Sequence, residues 1–336
     1  MSVSAIPMNR PESRPPARRV ARTLLVGLPL GAGSAVFLAP ELFGLASSWP
    51  FMQVVAFRLV AAVGLLALAV LTVLIRRRWW PVALVLGAVA GVALSWVLPR
   101  ALAAPPPAAG PELTVLSFNV FQGRADPAAL AAEIRQSTPD LVVLPEAGQS
   151  FARRLNPLLA DLHYLSSVTT AADEPDGFGI VVLTSPRLGK VSAIPLALGT
   201  EFPWMQLTGG GLGEVHVVAV HTAAPVPGMV PAWERDLDML GQWCAGGHEA
   251  RILVGDMNAT MDHAPLRSAI AGCTDAAADR GQGLVATWPT RWPRWFGVQI
   301  DHVFTGGGLR AASVQVLDLP GSDHRALLTR IVLPPR

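Results

Sequence analysis

Eight polar side chains lie within or beside short apolar runs in the C-terminal two-thirds of the sequence. They are Asn119, Glu146, His221, Asp256, Asn258, Asp301, Asp323 and His324. A carboxylate beside a buried strand is costly unless a positive charge compensates it. Carboxylate oxygens with an Asn carbonyl suit a hard divalent cation, Mg²⁺ or alternatively Mn²⁺, and the sequence has no Cys/His cluster with zinc spacing. The pattern predicts a cation-dependent site built from strand ends.

The elements that position these side chains begin near Glu112, where short β-branched runs alternate with helical segments. A helix is predicted over 127–136. Strands are predicted over 113–119, 141–145, 178–183, 215–221, 252–255, 299–304 and 327–332. Many strands with few helices indicate two packed sheets flanked by helices in one α/β domain.

Six short segments occur in a fixed order along this region: SFNV, LPEA, AVHT, GDMNA, IDHVF and SDHR. Each alone would match many proteins by chance, but the ordered series over about residues 112–334 resembles the endonuclease/exonuclease/phosphatase superfamily. This family of phosphoesterases includes DNase I-like nucleases, sphingomyelinases and inositol phosphatases. The resemblance implies its fold, a four-layered α/β sandwich, here preceded by three transmembrane helices.

The resemblance also implies a metal site. Glu146 would be the main metal carboxylate, Asn119 would hold the metal or its water shell, and Asp323 would lie in that shell. Turn capping is the alternative role for Asn119. The sequence departs from the family pattern after Gly179, where Ile180 stands in place of the usual Asn.

The remaining residues would carry the chemistry. Asp256 would orient or deprotonate the attacking water, and Asn258 would donate to a phosphate oxygen. His324 would act as general acid or base, with Asp301 fixing its tautomer. His221 would donate to the phosphoryl oxygens.

Other polar residues are interpreted as structural. His216 and His302 should point away from the site because side chains alternate along a strand. Asp262 is interpreted as a helix N-cap ahead of Ala264. Solvated or core positions are expected for His163, His248 and His263.

The first third of the chain indicates a membrane. The protein has 336 residues, of which 51% are hydrophobic and 15% charged, with a mean hydropathy of +0.42, which disfavours an ordinary soluble domain. Apolar stretches over 23–38, 59–75 and 79–98 are each about long enough to span a bilayer. The first contains Pro29 and needs help from residues 39–46, so a re-entrant or interfacial segment is its alternative.

Arginine placement predicts the orientation. Residues 1–111 carry a net charge of +8, with arginines before the first span and Arg76, Arg77 and Arg78 between the second and third. Residues 40–57 contain no Lys or Arg. Basic residues are retained in the cytoplasm, so the C-terminal domain is predicted outside. Arg58 is expected to extend toward lipid headgroups as a solvated anchor.

These patterns divide the chain into an Arg-rich cytoplasmic tail (1–22), three transmembrane helices (23–98), a Pro-rich linker (99–111) and an extracytoplasmic domain (112–336). The linker should act as a semi-rigid spacer that holds the domain near the membrane. The Ala-Leu-Ala triplet at 101–103 resembles a processing site, which leaves release of the domain as an alternative.

Charge and aromatic content bear on the substrate. Residues 112–336 carry a net charge of −6 with a single Lys, which disfavours nucleic acid as a partner because DNA-binding proteins neutralise phosphates with Lys and Arg. The segment TWPTRWPRWF (287–296) is either a rim loop packed on the domain or a loop that dips into lipid headgroups.

The layout as a whole resembles the VanJ-type teicoplanin-resistance membrane proteins. That resemblance implies hydrolysis of a prenyl or undecaprenyl pyrophosphate, or another cell-wall lipid intermediate, at the outer face of the membrane. The alternatives are a phospholipase C or sphingomyelinase-like enzyme, a nuclease on the secreted side, and a catalytically silent sensor. The sensor is disfavoured because Glu146, Asp256 and His324 are all present.

Cys244 and Cys273 are the two cysteines of the chain, and both belong to the domain predicted outside the cytoplasm. They flank the GDMN segment. A disulfide between them would suit an oxidising compartment.

Overall fold

The computed structural model describes residues 16–245 and 249–333. Helices α1 (Pro16–Leu38), α3 (Arg58–Ile75) and α4 (Trp80–Val97) precede the α/β domain. Three segments are long and apolar enough to cross a membrane, at Val20–Leu38, Arg58–Ile75 and Arg77–Ala101. The three predicted apolar helices are therefore present.

Helix α1 gains its length at its N-terminus instead of through residues 39–46. It ends at Leu38, and Pro40–Phe43 forms a separate 3₁₀ turn. Small residues let α1 approach α4 closely, since a Cβ at Gly31 would lie 2.3 Å from Val85 Cγ1. Small-residue contacts of this kind are typical of helices packed in membranes.

A short helix, α2 (Phe51–Ala56), lies in the connection between α1 and α3. Met52 and Val55 on this helix are buried. The Nε2 atom of His263 lies 2.9 Å from the Met52 carbonyl oxygen, and Gln53 Nε2 donates to the carbonyl of Pro225. The connection between the first two long apolar helices therefore packs against the α/β domain.

The α/β domain contains two six-stranded mixed sheets, with strand orders β11-β12-β1-β2-β4-β3 and β5-β6-β7-β8-β10-β9. The strands of the first sheet are β1 (Glu112–Ser117), β2 (Leu141–Pro145), β3 (Leu165–Val168), β4 (Ile180–Thr184), β11 (Arg310–Leu317) and β12 (Ala326–Val332). Those of the second are β5 (Ser192–Leu196), β6 (Trp204–Thr208), β7 (His216–His221), β8 (Arg251–Asp256), β9 (Thr274–Asp275) and β10 (Asp301–Gly306).

Three hydrophobic clusters hold the layers together. Side chains of both sheets, such as Val115 and Val217, interdigitate in the central cluster. The outer face of the first sheet packs on α5 (Pro127–Ser137) and α6 (Gln149–Leu155). The second packs on α7 (Val230–Cys244) and α8 (Ala264–Ala269), and a short α9 (Ala276–Asp279) follows β9. The predicted four-layered α/β sandwich is confirmed.

Four ion pairs link five residues where the apolar helices meet the domain, and we call these residues the joint. They are Glu41, Arg58, Arg100, Asp262 and Arg267. The Arg58 guanidinium lies 2.8 Å from Glu41 and 3.4 Å from Asp262, and Arg100 lies 2.7 Å from Asp262.

Two predictions fail at the joint. Arg58 is 1% exposed, so it is not a solvated anchor; the carboxylates of Glu41 and Asp262 compensate its burial. Asp262 is not the N-cap of α8, because His263 occupies that position and the Asp262 carboxylate pairs with arginines. The partners in these ion pairs are far apart in the sequence. Sequence alone therefore does not distinguish them from charged residues exposed to solvent.

The linker begins in contact with the domain. Ala103 forms a β-bridge with Arg280, and Ala104 N–H donates to the carbonyl of Asp279. The chain therefore leaves α4 already attached to the domain surface, and the Ala-Leu-Ala triplet lies against it.

Cys244 and Cys273 form a disulfide, with Cα atoms 5.3 Å apart. One cysteine ends α7 and the other precedes β9. The bridge therefore encloses β8, the strand that carries Asp256.

Candidate active site

The strand topology brings the candidate residues to one end of both sheets. Strands β1 and β2 are parallel, as are β7 and β8, so their carboxyl ends share an edge. His221 pairs in register with Asp256, and Asp256 pairs with Asp301 at the start of antiparallel β10. His324 precedes β12, which runs antiparallel to β1. Residues separated by up to 205 positions in sequence therefore meet in one cleft.

Glu146 follows β2 in a left-handed backbone conformation, with φ of 58°. Asn119 Nδ2 donates to its Oε1 atom at 2.9 Å, and the Gln122 backbone N–H donates to its Oε2 atom at 2.8 Å. A non-glycine residue in this conformation is strained and is held by its surroundings, as is common at functional sites. The two hydrogen bonds fix the carboxylate toward the cleft.

Asn119 connects the two carboxylates nearest the centre of the site. Its Nδ2 atom also donates to Asp256 Oδ2 at 2.8 Å, while its Oδ1 atom accepts from the Phe121 backbone N–H. The structure thus uses Asn119 to position Glu146 and Asp256. In this arrangement the Asn119 Oδ1 atom is directed to the backbone, and its place at the metal or its water shell stays a prediction.

Asp256 is fully buried at the end of β8, with Asn258 two residues beyond it. Asp256 Oδ1 accepts from the Asn258 backbone N–H at 2.8 Å. Asn258 has φ of 44°, lines the cleft, and donates its Nδ2 to the Thr222 carbonyl. Burial and the charge of Asp301 raise the pKa of Asp256 above its usual range, so a compensating cation or proton is required for its burial.

His324 and Asp301 form the predicted dyad. His324 Nδ1 lies 2.9 Å from Asp301 Oδ2, and Nε2 lies 3.8 Å from Asp256 Oδ2. Burial disfavours the charged imidazole, but the charge and hydrogen bond of Asp301 outweigh it and raise the pKa of His324. Ser322 Oγ accepts from the His324 backbone N–H and donates to the Asn119 carbonyl, which ties the His324 loop to the end of β1.

His221 is the last residue of β7, and its environment differs from that of His324. Its ring stacks on Phe202 at 4.0 Å, and its Nε2 lies 4.0 Å from Glu146 Oε1. Burial, with the nearby charge of His324, lowers the pKa of His221 to about 3. The ring is therefore neutral near pH 7 and can present one N–H without adding charge.

Asp323 lies at the rim of the cleft. Its Oδ2 accepts from the Trp288 indole at 3.0 Å, and its Oδ1 lies 3.9 Å from His324 Nε2. This position is compatible with an outer role around a metal. Trp288 thereby links the aromatic loop of residues 287–296 to the site.

The donor set fits a hard cation. Two groups of ligand atoms lie within 4.8 Å of one another: Glu146, His221 and Asp256, and Asp256, Asp301 and His324. The buried oxygens Asp301 Oδ1 and Asp323 Oδ1, and the ring nitrogen His221 Nδ1, have no hydrogen-bond partner in residues 16–245 and 249–333. Such orphaned acceptors among crowded carboxylates are what a divalent cation with its water shell would satisfy.

The other histidines that the structure describes lie outside the cluster of candidate catalytic side chains. His216 contacts Gln206 at the far end of β7, and buried His302 contacts Asp275 and the Ala259 carbonyl. His263 is buried, as predicted, although it also lines the cleft on the side of α2, and His163 is exposed after a 3₁₀ turn. His248 lies outside the described residues. Ile180 is buried in β4, so the position that departs from the family pattern is a core position here.

The catalytic cleft has two arms that share Gln122, Glu146, Ala224 and Asn258. The distal arm, of about 530 Å³, extends past His221 to Phe202, Phe178 and Asp176. Neither aromatic residue was predicted, because no polar pattern marks their segments.

The membrane-side arm, of about 490 Å³, extends past Asp256 and His324 to Met52, Gln53 and Phe57. Trp288 and Trp292 of the aromatic loop complete its wall, with Trp292 packed edge-on against Phe57 at 6.0 Å. Residues just before α3, the second of the three long apolar helices, therefore form part of the wall of the candidate active site, and sequence reasoning missed them.

Solved structures share this fold. TDP2 from D. rerio, humanized by 14 mutations, matches 66% of this chain and 99% of its own length, with a TM-score of 0.53 and 17% identity. D. rerio TDP2 in complex with a single-strand DNA product matches with a TM-score of 0.52 and 16% identity over the same shares. An endonuclease/exonuclease/phosphatase from Bacteroides vulgatus matches 67% of this chain and all of its own length, at 0.50 and 14%.

These likenesses show the fold alone, and no curated protein matches the chain. The family model described as the endonuclease/exonuclease/phosphatase family matches residues 116–324, more than half of the chain and a range that contains all eight candidate residues. The chain belongs to the endonuclease/exonuclease/phosphatase family.

Proposed function

We propose that this protein is a membrane-anchored, cation-dependent phosphohydrolase that acts at the outer face on a lipid-linked phosphate. A prenyl or undecaprenyl pyrophosphate, or another cell-wall lipid intermediate, is the proposed substrate. Glycopeptide resistance of the teicoplanin type would follow if that hydrolysis alters the supply of cell-wall precursors.

One observation carries the proposal: the membrane-side arm is lined both by catalytic residues and by the membrane anchor. Asp256, Asp323 and His324 share this wall with Met52, Gln53 and Phe57. A phosphate bound near Glu146 would therefore lie beside the polypeptide segment that leads directly into α3. A substrate tethered in the bilayer reaches such a site without leaving the membrane surface.

The directions in which α3 and α4 run support a position of the α/β domain outside the cytoplasm. The joint gathers Arg58 at the start of α3 and Arg100 after α4, while Arg76, Arg77 and Arg78 lie at the other ends of these helices. With the arginine-rich ends inside, the domain lies outside. The Cys244–Cys273 disulfide suits the same compartment.

The residues divide the reaction between them. Asp256 would orient the attacking water and accept its proton. His324, with its Nδ1–H held by Asp301, would offer Nε2–H to an oxygen of the transferring or leaving phosphate. Neutral His221 would donate to a phosphoryl oxygen.

Glu146 would be the main cation ligand, with Asp323 in the outer shell. A bound Mg²⁺ or Mn²⁺ would supply charge neutralisation for the phosphoryl group. Asn119 and the Gln122 backbone N–H would hold Glu146 in place.

Nuclease action is the second candidate. The net charge of −6 over residues 112–336 disfavours a long nucleic acid, but D. rerio TDP2 holds a single-strand DNA product on the same fold. A phosphodiesterase that acts on phosphatidylcholine or sphingomyelin is the third, since it would use the same membrane-facing cleft.

The test is product release by the purified full-length protein in detergent. Undecaprenyl pyrophosphate, sphingomyelin, phosphatidylcholine, plasmid DNA and single-stranded DNA are compared with Mg²⁺ and with chelator. Phosphate from the polyprenyl substrate, lost with chelator and in His221→Ala, supports the proposal. His216→Ala is the matched control, because His216 lies on the same strand but at its far end. DNA cleavage at comparable efficiency would replace the proposal with the nuclease assignment.

A further inference from the structure

An apolar groove continues the membrane-side arm toward the bilayer. It has a volume of about 500 Å³, and its walls include Pro50, Val54, Phe57, Val60 and Phe296. Gln53 is its one polar lining residue among those the structure describes. The groove is built from the chain around α2, the first turn of α3 and the aromatic loop.

The groove adjoins the catalytic cleft. Gln53, Phe57 and Trp292 line both the groove and the membrane-side arm. Gln53 is held at this junction by its hydrogen bond to the Pro225 carbonyl. The polar catalytic groups of the cleft therefore lie next to an apolar surface, with these three residues at the boundary.

The other end of the groove meets the membrane helices. Val60 and Ala61 belong to the first turn of α3, an apolar helix long enough to span a bilayer. Trp49, also on the groove, is 69% exposed, as expected of an aromatic residue at a membrane interface. Residues 40–57 contain no Lys or Arg, so no basic side chain of that segment blocks the entrance.

We infer that this groove holds the hydrocarbon chain of the substrate next to the phosphate, with the chain entering from the bilayer beside α3. This inference rests on the proposed function and adds a recognition site to it. When the phosphate binds near Glu146, above the bilayer, the hydrocarbon next to the phosphate would otherwise be exposed to water. An apolar wall removes that cost, because exposed hydrocarbon is unfavourable in water by an amount that grows with its area.

We therefore expect the protein to prefer substrates whose hydrocarbon chain is long enough to occupy the groove. Each methylene moved from water to an apolar surface improves binding about fourfold. Dimethylallyl diphosphate leaves most of the groove empty, while geranyl diphosphate extends into it. With both kept as monomers in solution, kcat/KM should rise about tenfold or more from the shorter to the longer substrate.

Filling the groove should remove that preference. Val54 lines the groove but is absent from the walls of the catalytic cleft, so Val54→Trp should abolish most of the gain for geranyl diphosphate and leave the rate for dimethylallyl diphosphate unchanged. Leu74→Trp is the control, because Leu74 lies on the same helix as Val60 but near its other end and is 74% exposed. Equal rates for both substrates in the wild-type protein, or equal loss of both in Val54→Trp, would overturn the inference.

Photolabelling of the full-length protein separates this inference from the proposed function. A geranyl phosphonate with a diazirine at the end of its chain should label residues 49–61 or 292–296. Label in this groove without hydrolysis of any diphosphate would sink the proposed function and retain the chain site. Hydrolysis with label elsewhere, on the outer faces of α1 and α4 or in the distal arm, would retain the function and overturn the chain site.

Discussion

The molecule contains two clusters of charged side chains, and they differ in the balance between positive and negative groups. In the joint, three arginines face two carboxylates, and all five groups form ion pairs. In the catalytic cleft, Glu146, Asp256, Asp301 and Asp323 face at most one charged imidazole, that of His324.

The difference shows how a structural cluster can be distinguished from a functional one. In the joint, each buried charge is compensated by a protein group, as stability requires. In the cleft, burial and the charge of Asp301 raise the pKa of Asp256, and Asp301 raises the pKa of His324 against the effect of burial. One carboxylate oxygen of Asp301 and one of Asp323 have no hydrogen-bond partner within the described part of the chain. The carboxylates of the cleft outnumber its positive groups, and we propose that a divalent cation balances them.

The largest expected effect is on the chemistry of the cleft. His324→Ala should lower the hydrolysis rate by about 10² to 10⁴-fold, because it removes the general acid/base, while cation binding stays nearly intact. Asp301→Asn should cause a smaller loss, because it disturbs the imidazole tautomer without removing the ring. Steady-state rates and cation titrations of both variants check this. A His324→Ala enzyme with an unchanged rate would contradict the dyad.

Breaking the joint should affect stability and leave the chemistry of the folded protein largely unchanged. Asp262→Ala leaves Arg58 and Arg100 buried without their shared partner, which should cost about 3 to 5 kcal/mol. The measurement is the thermal midpoint of the protein in detergent. Asp161→Ala is the control, because Asp161 forms an exposed ion pair with Arg135 that should contribute little. Equal midpoints for the two variants would argue against a structural joint.

The disulfide should have a smaller effect that is also restricted to stability. Its removal by Cys244→Ala with Cys273→Ala should destabilise the domain by about 2 to 4 kcal/mol, because the bridge closes a loop of 29 residues. Thermal unfolding of the double variant checks the size. Two free thiols in the alkylated native protein, measured by mass spectrometry, would refute the bridge itself.

The smallest expected effect is a pH dependence at the contact between α2 and the domain. Burial lowers the pKa of His263 from 6.5 to about 4, and Asp262 and Arg267 act on it in opposite directions. The unfolded chain therefore binds more protons between about pH 6.5 and pH 4. Stability from neutral His263 is complete above this window and is lost as the pH falls through it.

The His263 contribution can be isolated by difference. The thermal midpoint of the wild-type protein should fall more steeply between pH 7 and pH 4 than that of His263→Gln. Parallel pH profiles would show that the contact of His263 with the Met52 carbonyl does not depend on the neutral ring.

Much of the fold could be predicted from sequence because its central strands are short apolar runs that end in polar residues. Strands such as β2 and β8 are buried and bounded by a change in polarity, which sequence alone reveals. Strands β3 and β5 were missed because they are largely exposed and carry no such run. Helix α7 was also missed, although it places Asp236 to bind the Ala223 backbone N–H beside the cleft.

The polar residues of the candidate site could be predicted from the sequence, but the apolar residues that line it could not. Spacing and the ordered segments indicated His324 and Asp301, and the structure places them 2.9 Å apart. Phe57 and Phe202 gave no signal, because an aromatic residue that lines a cleft is indistinguishable in sequence from one in a core. Arg58 was misinterpreted for a related reason, since both of its partners come from other segments of the chain.

Cation binding tests the central distinction between the two clusters most directly. Mn²⁺ titration of the full-length protein in detergent, followed by electron paramagnetic resonance, should show binding that Glu146→Gln weakens strongly together with activity. Asp262→Asn, which alters the joint, should leave binding unchanged in the protein that remains folded. Unaltered binding in Glu146→Gln, or loss of binding in folded Asp262→Asn alone, would contradict the account.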